Sequence, residues 1–428
     1  MADFRFGTLA SSPDGKQKVM SRKIAAVLIA TLLLASCGPL RRLPPVPQSQ
    51  QQDISVLGLK DVRYWGDEVT PQMIENGIGA YRREQAYAAS TGHTGPLPPA
   101  YYLAISGGGE NGAFGAGLLV GWTASGSRPQ FKIVTGISTG ALIAPFAFLG
   151  PAYDAQLKAV YTQIEPKDVL EKRWLISGLL GDGMATNAPL FQTLQRYVTP
   201  ELIQAIATEY QHGRLLLIAT TDLDAGRPVI WDVGRIAASG NPGAMTLIQK
   251  LMLASAAIPV AFPPVMIDVE AGGQPYQEMN VDGGAAAQVF VYPPGLRINQ
   301  MGVKRQRILY VIRNARLDPQ WADVNRQTLS IAGRATTSMI QTQGIGDLYR
   351  IYSVSQRDDV DFNLASVPPS FNVTLQYPFD PEYMRPLFAV GYDMGKAGYP
   401  WAKVPPGFGE VAKAKAEVKT IAPRSGMH

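Results

Sequence analysis

The chain has 428 residues, 46% hydrophobic and 17% charged, with 43 Gly, 33 Pro and a formal charge of +5. That is ordinary turn-rich globular material, long enough for one large or two average domains. More than half of the basic excess lies in residues 1–36, and no block of Lys and Arg interleaved with aromatics occurs, so a nucleic-acid footprint is not supported.

Taken in chain order, residues 20–37 (MSRKIAAVLIATLLLASC) set Arg22 and Lys23 before a run, Ile24 to Ala35, in which Thr31 alone is polar. The pattern reads as a secretory signal, too short to span a bilayer comfortably as a permanent helix. A buried core helix is the alternative, opposed by the basic flank and the Pro-rich exit. Leu34-Ala35-Ser36-Cys37 resembles the bacterial lipoprotein cleavage box, where the Cys becomes the lipid-modified N-terminus. Cys37 is the sole cysteine, so no internal disulfide can form. The resemblance implies a signal peptide over 1–36 (with Met20 as a candidate true start) and membrane anchoring through Cys37. Gly38 rather than Asp after the cysteine resembles envelope lipoproteins sent to the outer membrane. Residues 37–52, rich in Pro and Gln, are expected to be a tether, and 53–100 an N-terminal extension.

From Tyr101 strands and helices alternate. Apolar runs predict strands at 101–106, 131–136, 214–221, 227–232 and 307–314. Helices are predicted over 113–124, in the stretch following 137, around 153–163, over 187–210 and 245–257, and through 325–356. Continuous apolar strands alternating with helices imply an α/β fold around a central, largely parallel sheet flanked by helices. The main core is expected over 101–300, with 301–428 packed on it.

Three stretches carry chemistry. Gly107-Gly108-Gly109, with Gly112, follows the first strand and could turn a corner, cradle a phosphate or expose N–H groups to an oxyanion. Dinucleotide spacing fits Gly107, Gly109 and Gly112, but the acidic residue expected about twenty positions on is missing near Gln130. Gly136-Ile137-Ser138-Thr139-Gly140 is a G-x-S-x-G pentapeptide between a strand and a helix, the setting of a nucleophile elbow. Gly136 and Gly140 remove side chains that would collide at such a turn. The three histidines, His93, His212 and His428, all lie outside strand-to-loop contexts, so a Ser–His–Asp triad is poorly supported. A carboxylate could serve as base instead, and Asp282 precedes Gly283-Gly284, although Asp-Gly-Gly alone also reads as a turn.

Together these motifs, with the segment ASAAIPVAFPPV (254–265), resemble the patatin-like phospholipase family over roughly 101–300. The resemblance implies a patatin-like three-layer sandwich and a serine acyl hydrolase acting on membrane lipids through a Ser–Asp dyad. Ser138 would be the nucleophile, Asp282 the base and the Gly107–Gly109 backbone the oxyanion hole, with no cofactor. Asn111 departs from the family pattern, which commonly has a basic residue there. A non-catalytic envelope lipoprotein using the fold to bind lipid or protein is the alternative, and an esterase using His428 a third reading. Residues 172–187 could form an apolar lip or a core helix. Asp222 and Asp224 read as turn formers, and no cluster at metal-ligand spacing occurs, so no metal is expected.

Overall fold

The computed structural model describes residues 42–172 and 182–408. The expected export signal, Met20, Cys37, most of the expected lip and His428 lie outside the described residues.

The strands in chain order are β1 (Arg63–Trp65), β2 (Ala100–Ile105), β3 (Ile133–Ile137), β4 (Glu171–Lys172), β5 (Ala185–Thr186), β6 (Leu215–Asp222), β7 (Arg227–Asp232), β8 (Val265–Ala271), β9 (Gln274–Asp282), β10 (Arg307–Arg313) and β11 (Val360–Ser366). The helices are α1 (Pro71–Ser90), α2 (Gly112–Ala124), α3 (Thr139–Leu149), α4 (Asp154–Thr162), α5 (Ala188–Tyr197), α6 (Pro200–Gln211), α7 (Val233–Ala237), α8 (Ala244–Ser255), α9 (Thr328–Arg357) and α10 (Pro381–Lys396). Nine strands form one sheet in the order β1-β7-β6-β3-β2-β10-β11, with β9 on β6 and β8 on β9. The five strands from β6 to β11 in that order run parallel. Antiparallel pairs lie towards the other edge.

The central strands are apolar on both faces because both are covered. Leu103 and Ile105 of β2 join a core with α2 and α10, while Tyr102 and Ala104 pack with Leu348 and Ile351 of α9. Helix α2 is hydrophobic all round, as a helix buried between a sheet and another helix must be. Gly117 and Gly121 let it meet α10 backbone to backbone: a Cβ on either would overlap the Phe388 or Tyr392 carbonyl oxygen.

The sequence predicts one helix over 187–210; two form. Thr199 accepts the Leu202 N–H as N-cap and Pro200 opens α6, because Pro cannot continue α5 through its missing donor. The later part of the expected tether is held on the domain rather than free of it. Val46 is buried in the core, and the Pro44 carbonyl accepts the Gln277 N–H at 3.1 Å. From the expected extension, β1 joins the main sheet beside β7.

Candidate active site

Ser138 sits where β3 gives way to α3, at the C-terminal edge of the parallel strands, which is where α/β folds expose their binding crevices. Its backbone is left-handed, φ 55° and ψ −126°, a conformation that costs a non-glycine residue about 1–3 kcal/mol. Neighbouring residues hold it there. Gly136 and Gly140 allow β3 and α3 to touch, since a Cβ on Gly136 would overlap the Gly140 carbonyl oxygen. The Ser138 N–H donates to Ser255 Oγ at 2.9 Å, and that hydroxyl donates to the Ala219 carbonyl at 2.7 Å. Ser255, at the end of α8, thus ties the turn to β6. Sequence reasoning did not single it out, although a serine closing an apolar helix next to the Ala-Ile-Pro break was a visible signal.

The sheet topology delivers Asp282 to the serine. Strand β3 pairs with β6 only as far as Ile137 opposite Ala219. From Thr220 onward the same edge of β6 is taken by β9, running the other way, with Asp282 opposite Thr220. The two chains therefore meet head-on, and Ser138 Oγ donates to Asp282 Oδ2 at 2.6 Å. The other carboxylate oxygen accepts the Gly284 N–H at 2.7 Å, so the Asp-Gly-Gly turn also fixes the carboxylate. Ser138 is 7% and Asp282 4% exposed. Burial pushes the Asp282 carboxyl up to about 6, against the opposing bonds from Ser138 and Gly284.

The glycine loop runs past this pair. Gly107 N–H is given to the Gln288 carbonyl at 3.0 Å, which leaves the N–H groups of Gly108 and Gly109 as the loop's candidate donors. Among the described residues neither has a hydrogen-bond partner. Gly108 has φ 156° and lies against Asn314, whose carbonyl a Cβ there would overlap. Asn314 locks the loop's base: its N–H donates to Ser106 Oγ at 2.8 Å and its amide to the Ser106 carbonyl at 2.9 Å. Helix α3 begins directly after Ser138, so the positive end of its dipole lies at the same place and favours negative charge. Asn111 turns away to accept the Tyr383 hydroxyl at 2.5 Å.

A cleft opens at Ser138 and Gly109. Its walls are almost wholly apolar, with Leu142, Phe146, Leu194, Met252, Phe262 and Met384 among them. Such a surface suits a hydrocarbon chain.

The described histidines lie elsewhere. His93 bonds the Pro96 carbonyl ahead of β2, and His212 stacks on Tyr87 ahead of β6, both at the N-terminal ends of strands parallel to β3, whose C-terminal end leads into Ser138. Asp222 accepts the N–H groups of Asp224 and Ala225 and so forms a turn. Among the described residues no group of three or more His, Cys, Asp or Glu side chains converges as a metal site. No helix among them is long and apolar enough to cross a membrane.

The elbow, the carboxylate and the glycine loop lie within one matched stretch. Residues 103–293 match the family model of patatin-like phospholipases. The mixed sheet of mostly parallel strands, flanked by helices, is consistent with the patatin α/β fold. Two solved structures are similar at low level. VipD from Legionella pneumophila is 11% identical over 71% of this chain and 67% of its own, with a TM-score of 0.35. The type III effector protein ExoU is 13% identical over 76% of this chain and 60% of its own, with a TM-score of 0.25. No curated protein matches the chain.

Proposed function

We propose that this chain is a patatin-type serine acyl hydrolase that cleaves ester bonds of membrane phospholipids or related lipids. The observation that carries this reading is the 2.6 Å bond from Ser138 Oγ to a buried carboxylate at the mouth of an apolar cleft. The family match over 103–293 supports lipid acyl hydrolysis in the same terms. Asp282 takes the Ser138 proton as Oγ attacks the ester carbonyl. The tetrahedral oxyanion lies against the Gly108 and Gly109 N–H groups and the α3 N-terminus, which stabilise charge as it develops. Asp282 then passes its proton to the leaving alcohol. The acyl-enzyme keeps its chain in the cleft until a water, deprotonated by Asp282, releases the fatty acid.

Incubation with a fluorophosphonate probe followed by peptide mass mapping tests the reading. A phosphonyl adduct on Ser138, with fatty acid released from phosphatidylglycerol vesicles by the unlabelled protein, is expected. An unlabelled Ser138 and unchanged vesicles would mean a non-catalytic lipid- or protein-binding lipoprotein instead.

The signal-like run at 20–37 supports the further reading that Cys37 carries the lipid anchor of an outer-membrane envelope protein. Metabolic labelling with palmitate is expected to mark the wild-type chain and not Cys37→Ser; equal labelling of both would remove Cys37 as the anchor.

A further inference from the structure

The geometry points to Arg313 as a positioning residue that orients and polarises the Gly107–Gly108 peptide, and so sets the strength of the oxyanion donor. This rests on the reading of Ser138 as a nucleophile.

Arg313 closes β10, directly beside the end of β2, and is 2% exposed. Its Nη1 donates to the Gly107 carbonyl at 3.1 Å and to Ser106 Oγ at 3.2 Å. The same hydroxyl donates to the Gly107 carbonyl at 2.6 Å, so two donors converge on one oxygen. In a planar trans peptide the carbonyl and the following N–H point in opposite directions. Fixing the Gly107 oxygen towards Arg313 therefore fixes the Gly108 N–H away from it, where it has no hydrogen-bond partner among the described residues.

Polarity follows the same line. A carbonyl that accepts a charged donor draws electron density through its amide and makes that amide's N–H a stronger donor. Among the described residues no carboxylate forms an ion pair with Arg313. Asp347, whose charge acts on it, is bonded to Arg350 at 2.6 Å and to the Gln288 N–H at 2.6 Å. Burial pushes the guanidinium down to about 10, which leaves it charged at neutral pH. A buried cation is costly, and here its direct bond goes to a peptide carbonyl, with Asp347 acting on it only through space, so its field bears on the loop. The loop's own ionisable side chain, Glu110, is pushed up by burial, and Asn111 is neutral. Gly344 makes room for the arrangement: a Cβ there would come within 2.6 Å of Arg313 Nη2.

The test compares wild type with Arg313→Met and Arg313→Lys on a soluble p-nitrophenyl ester, with thermal melting recorded for each. Arg313→Met is expected to lower kcat by about 10- to 100-fold, less than the ~10²–10³ of a lost direct donor. KM should stay within about twofold, because the peptide acts on the transition state and not on the bound ester. Arg313→Lys, which keeps the charge, should recover part of the loss. Wild-type kcat in a cooperatively melting Arg313→Met protein overturns the inference, as does a rise in KM with kcat unchanged. If Arg313→Met does not fold, Arg313→Lys decides: it lacks the planar fork, so a kcat at least about threefold below wild type at constant KM is expected. A wild-type kcat there overturns the inference. A wild-type protein that neither turns over ester nor takes the probe at Ser138 overturns the reading of the site itself, a separate outcome.

Discussion

Asp282→Asn is expected to lower kcat by about 10⁴-fold while making the protein more stable at alkaline pH. Asn cannot accept a proton from Ser138 Oγ, so nucleophile activation is lost although the side chain keeps its shape. The stability effect follows from linkage. Folding raises the Asp282 carboxyl from 3.8 to about 6 by burial, so the native state holds its proton more tightly than the unfolded chain. A raised folded value means that the carboxyl's contribution is fully present below pH 3.8 and is lost as pH rises through about 6. Above that the buried anion costs on the order of 3 kcal/mol, an upper bound set by the shift itself. Asn never ionises and avoids this cost. Melting curves at pH 8 should place Asp282→Asn about 4 °C above wild type, with the gap closing at pH 4. A variant that is less stable than wild type at pH 8 would show that the carboxylate is better solvated than its burial indicates.

The same titration shapes activity. A base must be ionised to accept the serine proton, so kcat/KM should climb through about pH 6 and then level, following Asp282. A profile whose acid limb falls an entire unit below pH 5 would assign the base elsewhere.

How much of this was legible in the sequence varies with the range over which each feature is determined. The elements β2, α2, β3 and α3 were readable because each is a continuous apolar run broken by glycine, and burial on both faces leaves no polar stripe to confuse the pattern. The serine and aspartate stood out because turns demand particular neighbours. Helix α1 was missed since Ala80 is its one fully buried residue, leaving no apolar stripe to find. The β8–β9 hairpin was missed despite a signal: Val265, Ile267 and Val269 alternate with outward side chains, and Gly272-Gly273 supplies the left-handed turn. Arg313 could not be found at all from local pattern. Its contact with Gly107 exists only because β10 pairs with β2 more than 200 residues away.

Gly140→Ala is expected to cost at least about 3 kcal/mol and to abolish hydrolysis, a large effect for one methyl group. The added Cβ would overlap the Ile105 carbonyl oxygen and lie 2.8 Å from that of Ser106. Both are backbone atoms of the central strand and of the loop that follows it, so no side chain can rotate away. Relief requires α3 to lift from β2, and α3 carries the elbow. Moving it stretches the 2.9 Å bond from Ser138 N–H to Ser255 and the 2.6 Å bond from Ser138 Oγ to Asp282 together. The left-handed Ser138 then loses the contacts that hold it against its own strain. Denaturant unfolding should show a midpoint shift with little change in slope, and probe labelling at Ser138 should vanish under conditions where the variant is still folded. Gly109→Ala provides the contrast, because nothing lies within 4 Å of a Cβ at that position. Its cost should be confined to the left-handed backbone at φ 56°, about 1 kcal/mol, with the elbow intact and Ser138 still reactive. Equal losses in the two variants would show that backbone strain in the loops, and not the seam between α3 and β2, sets the geometry of the nucleophile.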